Sequence, residues 1–81
     1  MRRPPETQWR FLLNTNQEHL EVHDLDNEKT GPFECQIGEI IAAGNAQYLR
    51  AANSLQDLAV WLQRNSSYDG CRYCLPQFHR K

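Results

Sequence analysis

Cys71 and Cys74 are separated only by Arg72 and Tyr73, and the chain has one other cysteine, Cys35. A Cys-x-x-Cys pair on a tight turn can aim both sulfurs at one point, which makes half of a tetrahedral zinc site. Gly70, just before the pair, is expected to permit the backbone geometry of that turn. The metal then needs two more soft or borderline ligands. Cys35 is the third candidate. It stands at the start of a helical pattern, where the helix N-terminus is expected to lower its pKa and favour the thiolate. His23 is the choice for the fourth, because it precedes the loop that returns to Cys35. His19, one strand repeat away on the same face, is the alternative, and His79, near the end of the sequence, is the least suited. The expected set is therefore a Cys₃His zinc site made by His23, Cys35, Cys71 and Cys74.

Other chemistries fit these residues less well. Cys71 and Cys74 could form a thiol redox pair, with Cys35 resolving. Such a motif normally follows a strand and opens a helix, whereas here Pro76 follows Cys74 closely. A catalytic zinc keeps a position open for water and needs a base. Glu21 and Glu34 are the nearest candidates, and no motif stands behind either. Iron–sulfur clusters usually want four cysteines. Asp24, Asp26 and Glu28 lack the remaining ligand pattern of an EF-hand calcium loop, and Lys29 lies within such a loop. Neither a phosphate-binding glycine loop nor a Gly-x-Ser-x-Gly elbow is present.

The elements that must position the ligands can be read from periodicity. Trp9, Phe11 and Leu13 alternate with Arg10, Leu12 and Asn14, a strand signal. Asn14 to Gln17 is turn chemistry. Leu20 and Val22 then alternate with His19, Glu21 and His23, so Trp9 to His23 reads as a β-hairpin. Asp24 to Phe33 reads as a polar loop. Ile37, Ile40 and Ile41 fall at helical spacing before Gly44, which predicts a short helix over 36–43. Residues 45–50 suggest a third strand. Ser54 is placed as the N-cap of a second helix that carries Leu55, Leu58, Ala59 and Leu62 on one stripe, widened by Trp61, and ends near Asn65. The expected fold is α+β: a small zinc-stapled domain over 8–76, after a leader at 1–7 and before a tail at 77–81.

The chain has 81 residues, enough for one domain, and domains of this size are often helped by metals, disulfides or partners. Its formal net charge is −1, so strong nonspecific binding to nucleic acid is not expected. No apolar run approaches the ~20 residues that span a bilayer, and no secretory signal is evident. An odd count of three cysteines fits reduced thiols in the cytoplasm better than a disulfide framework.

The second half also resembles a known family. Ser54-Leu55-Gln56-Asp57-Leu58-Ala59, followed by Tyr68-Asp69-Gly70-Cys71-Arg72-Tyr73-Cys74-Leu75-Pro76, is similar to the end of the metal-binding domain of the Ada type of DNA methylphosphotriester repair protein. The resemblance runs over roughly 22–76, and its specific part is the short ending. It implies a small α/β zinc domain with His23, Cys35, Cys71 and Cys74 as ligands. The interval from His23 to Cys35 is longer than in that family, and Gly70 replaces its proline. Ada repair transfers a methyl group to the first of four cysteine ligands. The first ligand here would be His23, so the resemblance implies the zinc and the fold without the repair chemistry.

The expected function is a noncatalytic zinc-binding module acting as a protein-interaction or regulatory domain. Its partner would be another protein. The working surface would be the acidic loop Asp24 to Glu28 or the turn carrying Arg72 and Tyr73, a pairing common in protein-contact anchors. The competing classes are the thiol redox protein and a zinc-dependent nucleic-acid binder using Arg50, Arg64 and Arg72.

Overall fold

The computed structural model describes residues 9–29, 31 and 34–80, so the expected leader lies outside the described residues. Four strands form one mixed sheet: β1 (Phe11–Asn14), β2 (Glu21–Asp24), β3 (Ala46–Leu49) and β4 (Asp69–Gly70), in the order β3-β1-β2-β4. Two α-helices, α1 (Ile37–Ala42) and α2 (Leu55–Arg64), complete the α+β architecture, with short 3-10 turns at Leu25–Asn27 and Pro76–Phe78.

The hairpin forms where the alternation predicts it, with Leu12 opposite His23 and Asn14 opposite Glu21. Its connection is built by asparagine side chains: Asn14 Oδ1 accepts from Asn16 N–H at 3.0 Å, and Asn16 Oδ1 accepts from Glu18 N–H at 3.0 Å. These are Asx turns, which substitute a side chain for the next backbone acceptor. Cross-strand partners share a face, so Leu12, Glu21 and His23 lie on one side and Phe11, Leu13 and Val22 on the other. Both sides are covered, since Phe11, Leu12, Leu13, Val22 and His23 are all buried.

Helix α2 begins as its sequence dictates. Ser54 Oγ accepts from Asp57 N–H at 3.1 Å, satisfying one of the free donors of the first turn. Leu58 and Leu62 are the buried residues of its stripe, while Leu55 is exposed and Trp61 is half-buried, edge-on to Tyr68. Helix α1 is shorter than expected by a residue at each end. Gln36 caps it in the left-handed region (φ 56°), and Gly44 follows its end at φ 77°. That second conformation is one glycine adopts at little cost.

Three segments differ from expectation. The acidic loop after β2 is an ordered 3-10 turn: Leu25 is fully buried, and Asp24 is 3% exposed in a two-pronged pair with Arg10 (Nε–Oδ1 3.0 Å, Nη2–Oδ2 2.9 Å). A buried carboxylate requires such a partner, so this aspartate is structural and not part of a solvated loop. The turn after α2 contains β4, which pairs in parallel with β2. Residues 77–80, expected as a tail, pack back on the sheet. Asp69, buried on β4, accepts from Arg80 N–H at 2.7 Å and lies 3.1 Å from His79 Nδ1.

Candidate metal centre

The segments on either side of the sheet's β2–β4 edge deliver four side chains to one place. His23, Cys35, Cys71 and Cys74 are all buried, and one ligand atom from each lies within 4.8 Å of all the others. The parallel pairing of β4 with β2 sets this up. Cys71 N–H donates to Val22 O at 2.9 Å, which brings the start of the Cys-x-x-Cys turn beside the strand that carries His23. The turn closes with Leu75 N–H on Cys71 O at 2.8 Å. On the far side, Lys29 and Cys35 bridge the loop: Cys35 N–H donates to Lys29 O at 3.4 Å.

Gly70 has a role here other than the expected one. Its φ is not positive; among the described residues only Gly44 and Gln36 have that conformation. A Cβ on Gly70 would meet Phe78 Cβ at 2.6 Å and the Phe78 carbonyl carbon at 2.9 Å. The glycine lets the chain after the cysteine pair fold back against β4.

The sulfurs are held by backbone donors. Asp24 N–H points at Cys74 Sγ (3.1 Å), Lys29 N–H at Cys35 Sγ (3.3 Å) and Tyr73 N–H at Cys71 Sγ (3.4 Å). Donors aimed at sulfur favour the thiolate, the form that binds metal. Asn27 Nδ2 adds a 3.0 Å bond to Cys74 O and fixes the 3-10 turn to the cysteine turn.

Two of the distances within the cluster match the spacing around one enclosed ion. Ligand bonds of about 2.3 Å to sulfur and 2.0–2.1 Å to nitrogen in a tetrahedron place ligand atoms about 3.6–3.8 Å apart. Cys35 Sγ is 3.8 Å from Cys71 Sγ, and Cys74 Sγ is 3.9 Å from His23 Nδ1. All three cysteines are free thiols.

The thiols do not ionise alike. Cys71 is pushed far down, first by the hydrogen bond from the Cys74 thiol and then, against the cost of burial, by His23. Cys74 is pushed up by that same bond and by burial. Cys35 is raised, chiefly by desolvation, against the lowering effect of the Lys29 N–H. The sequence-based expectation that the helix end would lower Cys35 is thus overturned: burial outweighs it. Without a cation the pocket favours one thiolate, because three anions this close repel strongly in a medium of low polarity. A divalent ion removes that obstacle.

His19 is exposed at the hairpin turn and His79 is tied to Asp69 and to Gly70 O, so neither joins the cluster. Arg72 and Tyr73 form the outside of the cysteine turn, both exposed. Arg50, read as a phosphate contact, instead lies over the Trp9 ring at 4.7 Å. The backbone donors of Asp24 and Lys29 had no signal in the sequence, since a backbone N–H leaves no residue-type mark. Among the described residues no helix is long and apolar enough to cross a membrane. Comparison with family models, with curated proteins and with solved structures finds no match to this chain.

Proposed function

We propose that the protein is a noncatalytic zinc-binding module in which a Cys₃His zinc ion ties together β2, the loop before α1 and the C-terminal turn. The observation that carries this reading is the burial of His23, Cys35, Cys71 and Cys74 with their ligand atoms within 4.8 Å of one another. Zinc is favoured over other ions by the donor set, since three thiolates and one imidazole in tetrahedral array suit it and hard cations prefer oxygen. Four protein ligands leave no position for a substrate water, which supports a structural role. A reducing compartment such as the cytoplasm keeps the thiols available. The likeness of the Cys71–Cys74 ending to Ada-type domains supports the same metal without the methyl transfer.

The module's working surface on this reading is the outside of the cysteine turn. Tyr73 is 40% exposed and Arg72 stands beside it, on a segment that the metal would hold rigid. A protein partner is favoured over nucleic acid by the net charge of −1.

Cobalt(II) titration of the reduced protein tests the metal assignment. A tetrahedral thiolate-rich site gives intense visible absorption that zinc abolishes at one equivalent. Weak absorption typical of octahedral cobalt, or no binding, contradicts it. One observation favours a second reading, a thiol redox pair: the depressed Cys71 is the kind of nucleophile such chemistry uses. Cys71 is 2% exposed and Cys74 1%, so a reductant or substrate would reach them only after the turn opened.

A further inference from the structure

One atom of the centre is left without a partner. His23 Nε2 is, among the described residues, the buried side-chain nitrogen or oxygen that makes no hydrogen bond. The imidazole presents Nδ1 to Cys74 Sγ at 3.9 Å. With a metal on Nδ1, the ring must carry its proton on Nε2, and a buried N–H without an acceptor costs on the order of 1–3 kcal/mol.

Glu21 offers a nearby acceptor. Glu21 lies two residues before His23 on β2, on the same face, and its Oε1 is 3.9 Å from His23 Nε2. That is longer than the roughly 3 Å of an N–H···O bond. The Glu21 side chain is 33% exposed against 2% for His23, so its carboxylate has room to turn inward where the ring does not. We infer that Glu21 is the positioning residue of the metal centre: its carboxylate accepts a hydrogen bond from the Nε2–H of His23, fixes the tautomer that frees Nδ1 for the metal, and makes that nitrogen a better donor. This inference rests on the metal-binding reading above. Outer carboxylates of this kind orient ligating histidines, and their loss typically lowers metal affinity by about 10–100-fold.

The strand spacing supplies the physical reason. Alternation puts residues i and i+2 of a strand on one face, so a Glu two residues before a His stands beside the ring without any loop to order. Asn14 faces Glu21 across the hairpin, which holds this end of β2 in register.

The test measures zinc affinity by competition with a chromophoric chelator for the wild type, Glu21→Ala and Glu21→Gln, with the histidine tautomer read by ¹⁵N NMR of zinc-loaded wild type. The expected result is one zinc in each, about 10–100-fold weaker binding for Glu21→Ala, a smaller loss for Glu21→Gln, which keeps an acceptor oxygen, and a protonated Nε2. Unchanged affinity in Glu21→Ala, or zinc found on Nε2, overturns the role of Glu21 while leaving the metal site intact. A wild type that binds no zinc overturns both. If Glu21→Ala does not fold, the wild-type tautomer together with the Glu21→Gln affinity decides the question.

Discussion

The backbone N–H of Asp24 points at the Sγ of Cys74, 3.1 Å away across a sequence separation of 50 residues. The contact joins the end of the N-terminal hairpin to the end of the cysteine turn. The same Asp24 spends its side chain on Arg10 and on the N–H of Asp26, so one buried residue fixes strand, 3-10 turn and sulfur together. Asp24→Ala removes the side-chain half of this arrangement and leaves Arg10 without its buried partner. It is expected to destabilise the metal-loaded protein by roughly 2–4 kcal/mol, toward the low end because Arg10 is partly exposed. Chemical denaturation with zinc held in excess measures it.

The ligands should rank in a definite order. His23→Ala removes a ligand and should weaken metal binding strongly, whereas His19→Ala should be nearly neutral, because His19 is exposed at the turn. Parallel zinc titrations of the two variants check this. An equal effect of both, or a larger one from His19, would show that the hairpin register differs from Leu12 opposite His23.

Metal binding should release protons in a number set by the unequal thiols. Cys71 is held well below the ordinary thiol range by the Cys74 hydrogen bond, so it is already a thiolate near neutrality. Cys35, by burial, and Cys74, by its bond to Cys71 and by burial, are raised, and both should release their protons to solvent when a metal binds. About two thiol protons should therefore leave per ion near pH 8. The sign follows: affinity rises with pH, and the metal is lost as pH falls and protons compete for the sulfurs. Calorimetry in buffers of different ionisation enthalpy counts them.

Gly70→Ala should be disruptive although its backbone conformation is ordinary. The added methyl would press on the side chain and the backbone of Phe78, at 2.6 and 2.9 Å. Overpacking of this kind costs about 1–3 kcal/mol. A lowered melting temperature is expected, and Phe78→Ala should not restore it, because alanine keeps both opposing atoms, the Cβ and the main-chain carbonyl carbon.

Where residue type and period coincide, the fold was legible. The hairpin followed from alternation around Asn14 and Asn16, α2 from Ser54 and its leucine stripe, and α1 from isoleucines ahead of Gly44. The cluster was legible because cysteine and histidine carry their chemistry in their names. What stayed hidden depends on the tertiary fold. Strand β4 is only Asp69–Gly70, too short for a period, and exists because β2 offers it an edge. Leu25 sat among acidic residues and read as loop, although its burial makes that loop a turn. The clip of His79 and Arg80 on Asp69 joins charges that look independent along the chain.

On the proposed reading a metal ion, and not a disulfide, holds β2, the loop before α1 and the cysteine turn together. Mass measurement of the intact protein under native conditions tests it most directly. The expected result is one bound zinc per chain with all three thiols reduced, and loss of cooperative unfolding when a chelator removes the ion, since metal binding contributes about 10 kcal/mol to folding in small zinc domains. A folded, metal-free chain two hydrogens lighter than the reduced mass would contradict it.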